Sequence, residues 1–478
     1  MPKRRAAGAR HAERWSPMVA MFTEFHRLTH HELVDRLIDT ALAEVPGRLR
    51  RECPAVADAE FTRRGVRRVL DRYESGRDFI QAERQAGGTI VRSTYFENLH
   101  SDRRRKLIEA TGDALRSNLS RWFAMAGINH LSVFPELAGR AVCAADGHYI
   151  AHACHAARDD KGRQVAFGNI YALDLASGLS FPVCAILSGH SMHPNEWALL
   201  KKSDRKFLRK AAMGRMGWSA AHRPLLVYDR AGADAEFMEE QAMLGGNGFD
   251  MITRAKENMC IRVLAANRFD LDDQVNAGVL HDARVRLANG VELRVVVYRC
   301  PETGEKYRFI TTEQKLRPGV IAWLYFMRWR IEKVFDVFER KLGEDKAWST
   351  DDPANGARPC QSEFICIAYN ILLFVQAVLA TDAGISDIKS AGKREKELAR
   401  RQREVEMHNE AVMAKAKKKR MTRRPRGLRS LNPLLAAIVR QWHQMTRQFI
   451  RCFRNLLHAE KSLAECFGEY ERYLAAYI

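Results

Sequence analysis

No two of the ten cysteines form a C-x-x-C pair, and they are scattered along the 478 residues. That pattern speaks against a disulfide framework and for reduced thiols in the cytoplasm. The basic N-terminus, MPKRRAAGARHAERW, is not followed by the apolar run that a secretory signal requires. The most membrane-like stretch, Phe364 to Ala380, is short for a span and carries Asn370 and Gln376, so it reads as a buried helix. Gly245-Gly246-Asn247-Gly248 is not followed by Lys-Ser or Lys-Thr, which excludes a phosphate loop and leaves a turn. His152-Ala-Cys154-His155 has no second ligand pair at suitable spacing. On an alternating strand His155 would also point away from the other two, so structural zinc is set aside.

Positive charge is in excess. The 78 Lys and Arg against 58 Asp and Glu leave a formal charge of +20. A polyanionic partner follows, although charge alone does not choose between nucleic acid and a membrane surface. The length implies several domains.

Residues 1–137 read as helical, polar and basic. HHELVDRLIDTALAEV and DRRRKLIEATGDALRSNLSRWFAMAG place apolar residues at helical spacing. This region is either a DNA-end-binding bundle or a cap on the next domain. Arg63, Arg64, Arg67 and Arg68 are either a phosphate track or a solvated face. From about Gly139 the texture changes to short alternating or apolar runs: AVCAAD, HYIAHAC, QVAFGNIYALDL and LSFPVCAIL. A long helical stretch, HPNEWALLKKSDRKFLRKAAMGRM, precedes PLLVYD, whose unbroken apolarity marks a fully buried strand. ADAEFMEEQAMLGGNG then reads as a crossover helix and FDMITRAKEN as a further strand.

Between Met259 and Thr312, ARVRLANGVELRVVVYRC and EKYRFITT alternate like hairpin strands about an Asn289-Gly290 turn. Tyr298, Tyr307 and Phe309 are the aromatics of this insertion, which lacks tryptophan, and they read as core residues. Residues 389–429 are nearly stripped of aromatics and dense in Lys and Arg. They form either a solvated helix or a disordered arm, and an arm along DNA backbone is favoured. The last segment is an amphipathic helix or helix pair that either docks on the core or dimerises.

Pro318 to Gly343 organises the rest. It reads as one amphipathic helix with proline in its first turn and glycine at its end. Tyr325, Arg328, Glu332 and Glu339 share a face beside the apolar seam, and Trp329 reads as packing. Two earlier apolar runs end in Asp146 and Asp229. Carboxylates just past buried strands sit at a sheet edge, where ligands reach them. Two such aspartates and a helix-borne glutamate make an all-oxygen set suited to a hard divalent cation, Mg2+ with Mn2+ as substitute. Three carboxylates held together are costly unless cations or protons neutralise them.

Asp146, Asp229 and Glu332 resemble the Asp-Asp-Glu triad of bacterial insertion-sequence transposases. Tyr325-x2-Arg328-x3-Glu332 resembles the Tyr-Arg-Glu-Lys signature of the insertion-sequence-four group. The resemblance covers roughly Arg140 to Ala380. It implies an α/β, ribonuclease H-like catalytic core with a β-strand insertion, flanked by helical N- and C-terminal regions. The expected division is 1–137, a core in two parts (138–258 and 316–384), an insertion (259–315), a basic arm (385–430) and C-terminal helices (431–478).

The resemblance further implies metal-dependent cleavage and joining of double-stranded DNA, by a dimer on paired element ends in the cytoplasm. Asp146, Asp229 and Glu332 become the catalytic metal ligands. Tyr325, Arg328, Arg254 and Lys256 become DNA contacts. The chain departs from the pattern twice: Glu339 stands where the signature has lysine, and Gly232 falls one place late in Asp229-Arg230-Ala231-Gly232. A nuclease without strand transfer and a catalytically decayed DNA-binding protein are the alternatives.

Overall fold

The computed structural model describes residues 24–51, 56–73, 75–89, 91–150, 167–186, 196–214, 222–257, 259, 261–348, 357–418, 425, 427–441 and 445–475. His152, Cys154 and His155 lie outside the described residues.

Five helices open the described chain: α1 (His30–Ala43), α2 (Asp58–Leu70), α3 (Gly76–Gln85), α4 (Arg92–Leu99) and α5 (Asp102–Met125). A capping box starts α1: Thr29 takes the Glu32 backbone N–H, and the Glu32 carboxylate takes that of Thr29. The arginines of α2 are neither a phosphate track nor a solvated face. Arg63 pairs with Asp39 and Asp35, Arg64 with Glu60 and Glu83, and Arg67 with Asp35. Arg68 lies 3.7 Å from the Trp348 ring centre. Intramolecular partners have taken up this charge.

Nine strands then build one mixed sheet: β1 (Val142–Ile150), β2 (Phe167–Asp174), β3 (Ser180–Ile186), β4 (Leu225–Val227), β5 (Asp250–Arg254), β6 (Ile261–Ala266), β7 (Val279–Leu287), β8 (Glu292–Arg299) and β9 (Lys306–Thr311). Their order is β3-β2-β1-β4-β5-β9-β8-β7-β6. β1, β4 and β5 run parallel, and the remaining neighbours are antiparallel. The 259–315 segment therefore extends the same sheet. Asn289-Gly290 turns between β7 and β8, with Gly290 at φ 91° where a side chain would be strained.

Alternation along β1 sorts its residues to two cores. Val142 and Ala144 face one apolar cluster, Cys143 and Ala145 the other. The second cluster is covered by α6 (Glu196–Lys202), α7 (Asp204–Met213) and α8 (Ala235–Met243). The long helix expected before β4 is thus two helices that meet at Ser203.

The first face carries α9 (Pro318–Met327), α10 (Arg330–Leu342) and α11 (Ala357–Asp382), with α2 and α5 packed behind α11. The α2–α11 crossing needs Gly65, because a β-carbon there would overlap the Phe364 ring. By length and composition α11 passes for a membrane span, yet 72% of its most apolar window is buried inside the fold. Pro318–Gly343 is two helices, not one. At the junction Trp329 N–H donates to Phe326 C=O (3.3 Å) and Ile331 N–H to Arg328 C=O (3.0 Å), bonds of tighter pitch than an α-helix. The overwinding changes the faces beyond residue 328 and leaves Trp329 62% exposed, so this ring is not packing.

The basic segment is helical over α12 (Ile388–Lys418), mostly exposed, with Glu397 and Glu404 pairing Arg400 and with Arg401 reaching Glu302. The solvated helix, not a disordered arm, describes 388–418. The chain closes with α13 (Pro433–Gln441), α14 (Arg447–Leu457) and α15 (Phe467–Ala475). These dock on the start of the chain: His30 meets the Tyr470 hydroxyl at 2.8 Å, and Thr29 bridges Ser462.

Candidate active site

Asp146 and Asp229 come together through strand register. Ala144 on β1 is level with Val227 on β4; two residues on, Asp229 lies just past the end of β4, whereas Asp146 is still inside β1, opposite Tyr171 of β2, and not at the strand end expected for it. Asp229 caps a 3-10 turn, Arg230–Gly232, with its Oδ1 taking the Ala231 N–H at 2.8 Å. Asp146 Oδ1 takes the Gly147 N–H at 2.9 Å.

Arg328, at the α9–α10 junction, joins the strands to the helix. Its Nη1 donates to Asp146 Oδ2 at 2.7 Å and its Nη2 to Glu332 Oε1 at 3.2 Å. The Arg328 side chain is 8% exposed and that of Glu332 49%, so the pair runs from interior to solvent. Nearby carboxylates hold the Arg328 pKa up against the effect of burial; Asp146 leads, and Asp229 and Glu332 contribute. Tyr325 is buried against Phe309, ring centres 4.8 Å apart, beside Arg328 and Asp229. The tighter helical turn aims Arg328 at Asp146 while Glu332 begins the next helix.

Burial pushes the Asp146 carboxyl up to about 6. Arg328 opposes that rise, and the charges of Asp229 and Glu196 add to it. Glu196 is a fourth carboxylate that the sequence reading missed. It opens α6 and presses on Gly147, where a β-carbon would overlap its carboxylate. Burial raises the pKa of the Tyr149 phenol, and its bond to Glu196 raises it further. An acid in the first turn of a helix is ordinary. Only its contact with a strand some 50 residues earlier marks it.

The other expected contacts separate. Arg254 lies 5.1 Å from the Tyr307 ring centre and 3.5 Å from Glu305, at the edge of the cluster. Lys256 is half-buried just past β5. Tyr298 and Phe309 are fully buried, and Tyr307 packs against Phe309 and Phe326. Glu339 is exposed, and its basic successors do not stand in for a lysine there. Arg340 pairs with Asp336 at 3.2 Å. Lys341 is buried, 3.3 Å from Asp336, and donates to Met445 C=O at 2.9 Å.

Among the described residues, no three His, Cys, Asp or Glu side chains stand close enough to share a metal ion. Arg328 occupies the space between Asp146 and Glu332. The donor set is nevertheless of the right chemistry: carboxylate oxygens in excess of the one guanidinium, with the Asp146 carboxylate disfavoured chiefly by burial and further by the charges of Asp229 and Glu196. That fits a hard cation. No family model matches the chain, and no characterised protein matches it.

Proposed function

We propose that this chain is a DNA transposase of the Asp-Asp-Glu type on a ribonuclease H-like core. It would cut element ends and join them to target DNA. The observation that carries the reading is the placement of Asp146 on β1 beside Asp229 at the end of the parallel β4, with Arg328 tying Asp146 to Glu332. The strand order β3-β2-β1-β4-β5, antiparallel then parallel, supports the fold assignment.

Asp146, Asp229 and Glu332 would hold Mg2+ or Mn2+. The ions would supply activation of a hydroxyl and stabilisation of the leaving oxygen in phosphodiester cleavage. Arg328, with two donors in a rigid fork, binds a phosphate oxygen once released from Asp146. Tyr325 supports that guanidinium from beneath, and Arg254 lines the approach. The net charge of +20 draws in DNA regardless of sequence. The same polypeptide acts as a dimer on paired double-stranded ends, in the cytoplasm on nucleoid DNA.

The test is cleavage of DNA carrying the gene's own flanking inverted repeats, in Mg2+ or Mn2+, with wild type beside Asp229→Ala. Metal-dependent cutting at the repeat ends, lost in the variant, is the expected result. Joining of the cut ends to target separates transposase from nuclease. Tight binding without cutting by either protein would sink the catalytic reading and leave a DNA-binding protein, the outcome that Glu339 favours.

A further inference from the structure

A cavity of about 400 Å³ opens on the far side of α10. It lies between the end of α5, the β2–β3 turn, the start of α10 and the later turns of α11. That volume suits a small organic ligand. Phe123, Ile128, Leu373 and Ile385 give it apolar walls. At one end stands Arg330, 5% exposed, whose Nη1 donates to Leu175 C=O at 3.3 Å. A guanidinium so desolvated gains most from an anion that reaches it without bringing water.

The rest of the lining asks for the opposite kind of group. Asp387 is 5% exposed, and its Oδ1 accepts from Ser390 N–H at 3.0 Å. Among the described residues no donor meets Asp387 Oδ2, Gln376 Oε1 or Gln441 Oε1, all buried atoms of residues that line the cavity. Buried acceptors without donors are uncommon and costly. Tyr369 donates to Gly178 C=O at 3.3 Å near the Arg330 end. Gln376 is seven residues further along α11, or about 10 Å at 1.5 Å per residue. The cavity thus has a buried guanidinium at one end, apolar walls, and unpaired acceptors on Gln376, Asp387 and Gln441 in the rest of its lining.

We propose that this cavity binds a small aromatic carboxylate with an N–H donor opposite its acid group. Arg330 anchors the anion, and Gln376, Asp387 and Gln441 accept from the donor. The site is separate from the Asp146 cluster, although Arg330 precedes Glu332 by only two residues.

The probe is 4-aminobenzoate, titrated calorimetrically into the full chain beside 4-aminobenzamide, which lacks the anion, and benzoate, which lacks the donor. Saturable one-site binding of 4-aminobenzoate is expected, weakened about tenfold or more in each analogue. Ala377→Trp, which fills the cavity, abolishes binding, and Arg330→Gln erases the preference of acid over amide. The proposal is overturned by absence of saturable binding, by equal affinity for acid and amide in wild type, or by undiminished binding in Ala377→Trp. Should Arg330→Gln not fold, the three probes with wild type and Ala377→Trp decide it.

Discussion

Asp146 and Glu344 are carboxylates in the same seam, between the β1–β2 part of the sheet and the helix α10, yet their surroundings are opposite in kind. Asp146 meets a guanidinium that continues to half-exposed Glu332. Glu344 is sealed, 0% exposed, with the Tyr171 hydroxyl donating to Oε1 and His148 Nε2 3.7 Å from Oε2. Burial carries Glu344 up to about 8, and it carries His148 down to about 4 with its ring stacked on Phe335. Both groups of the sealed pair are therefore held neutral near pH 7. The open site keeps charge and can exchange one cation for another. The sealed site keeps shape, fixing the strand that bears Asp146 against the helix that begins near Glu332.

The sharpest way to break this contrast is Arg328→Ala, which strands Asp146 without its cation. Removing one partner of a buried ion pair costs about 3–5 kcal/mol, and urea unfolding at pH 7 should show a loss of that order. An unchanged midpoint would mean that Arg328 does not hold the two elements together.

Glu344→Gln should matter next, through pH. The folded-state pKa lies above the ordinary glutamate value of 4.5, so between about 4.5 and about 8 the folded state binds more protons than the unfolded state. Stability contributed by this carboxyl is complete below 4.5 and falls as pH rises through the window, by roughly 1.4 kcal/mol per unit. Unfolding midpoints of wild type should decline from pH 5 to 8 more steeply than those of Glu344→Gln. Parallel profiles would refute the sealed, neutral carboxyl.

His148→Phe tests the same pair from the acid side. The folded-state pKa is below 6.5, so the unfolded state binds the extra proton between about 6.5 and about 4. Wild type should lose stability across that fall in pH, and the variant should lose less. If acid sensitivity is the same in both, the imidazole is not buried neutral.

Glu339→Lys is expected to shift unfolding by less than about 0.5 kcal/mol, as for other exposed positions. Under the proposed function it should tighten binding to repeat-end DNA, read by titration at fixed salt. Weaker binding would count against a phosphate passing this turn of α10.

Much of this molecule was readable residue by residue. The unbroken apolarity of Leu225-Leu226-Val227 marked a buried strand and Asn289-Gly290 marked a hairpin, whereas the end of the apolar run at Asp146 did not mark a strand end, since β1 continues to Ile150. Each depends on near neighbours in sequence. The break at Arg328–Trp329 was hidden because neither proline nor glycine interrupts the apolar spacing there. Glu196 was hidden because an acid in a first turn is unremarkable until Gly147 is found against it.

The chain by itself determined its periodicities, its caps and its excess of positive charge, since these depend on the backbone preferences and charges of adjacent residues. Tertiary structure alone decided which charges are spent. The arginines of α2 and most of those on α12 near Glu397 are taken up by partners within the chain, whereas Arg328 was drawn from a helix face onto a carboxylate in the middle of β1. The reason is physical: burial is a property of the assembled layers, and only burial makes a guanidinium between two carboxylates different from an ordinary ion pair on a helix.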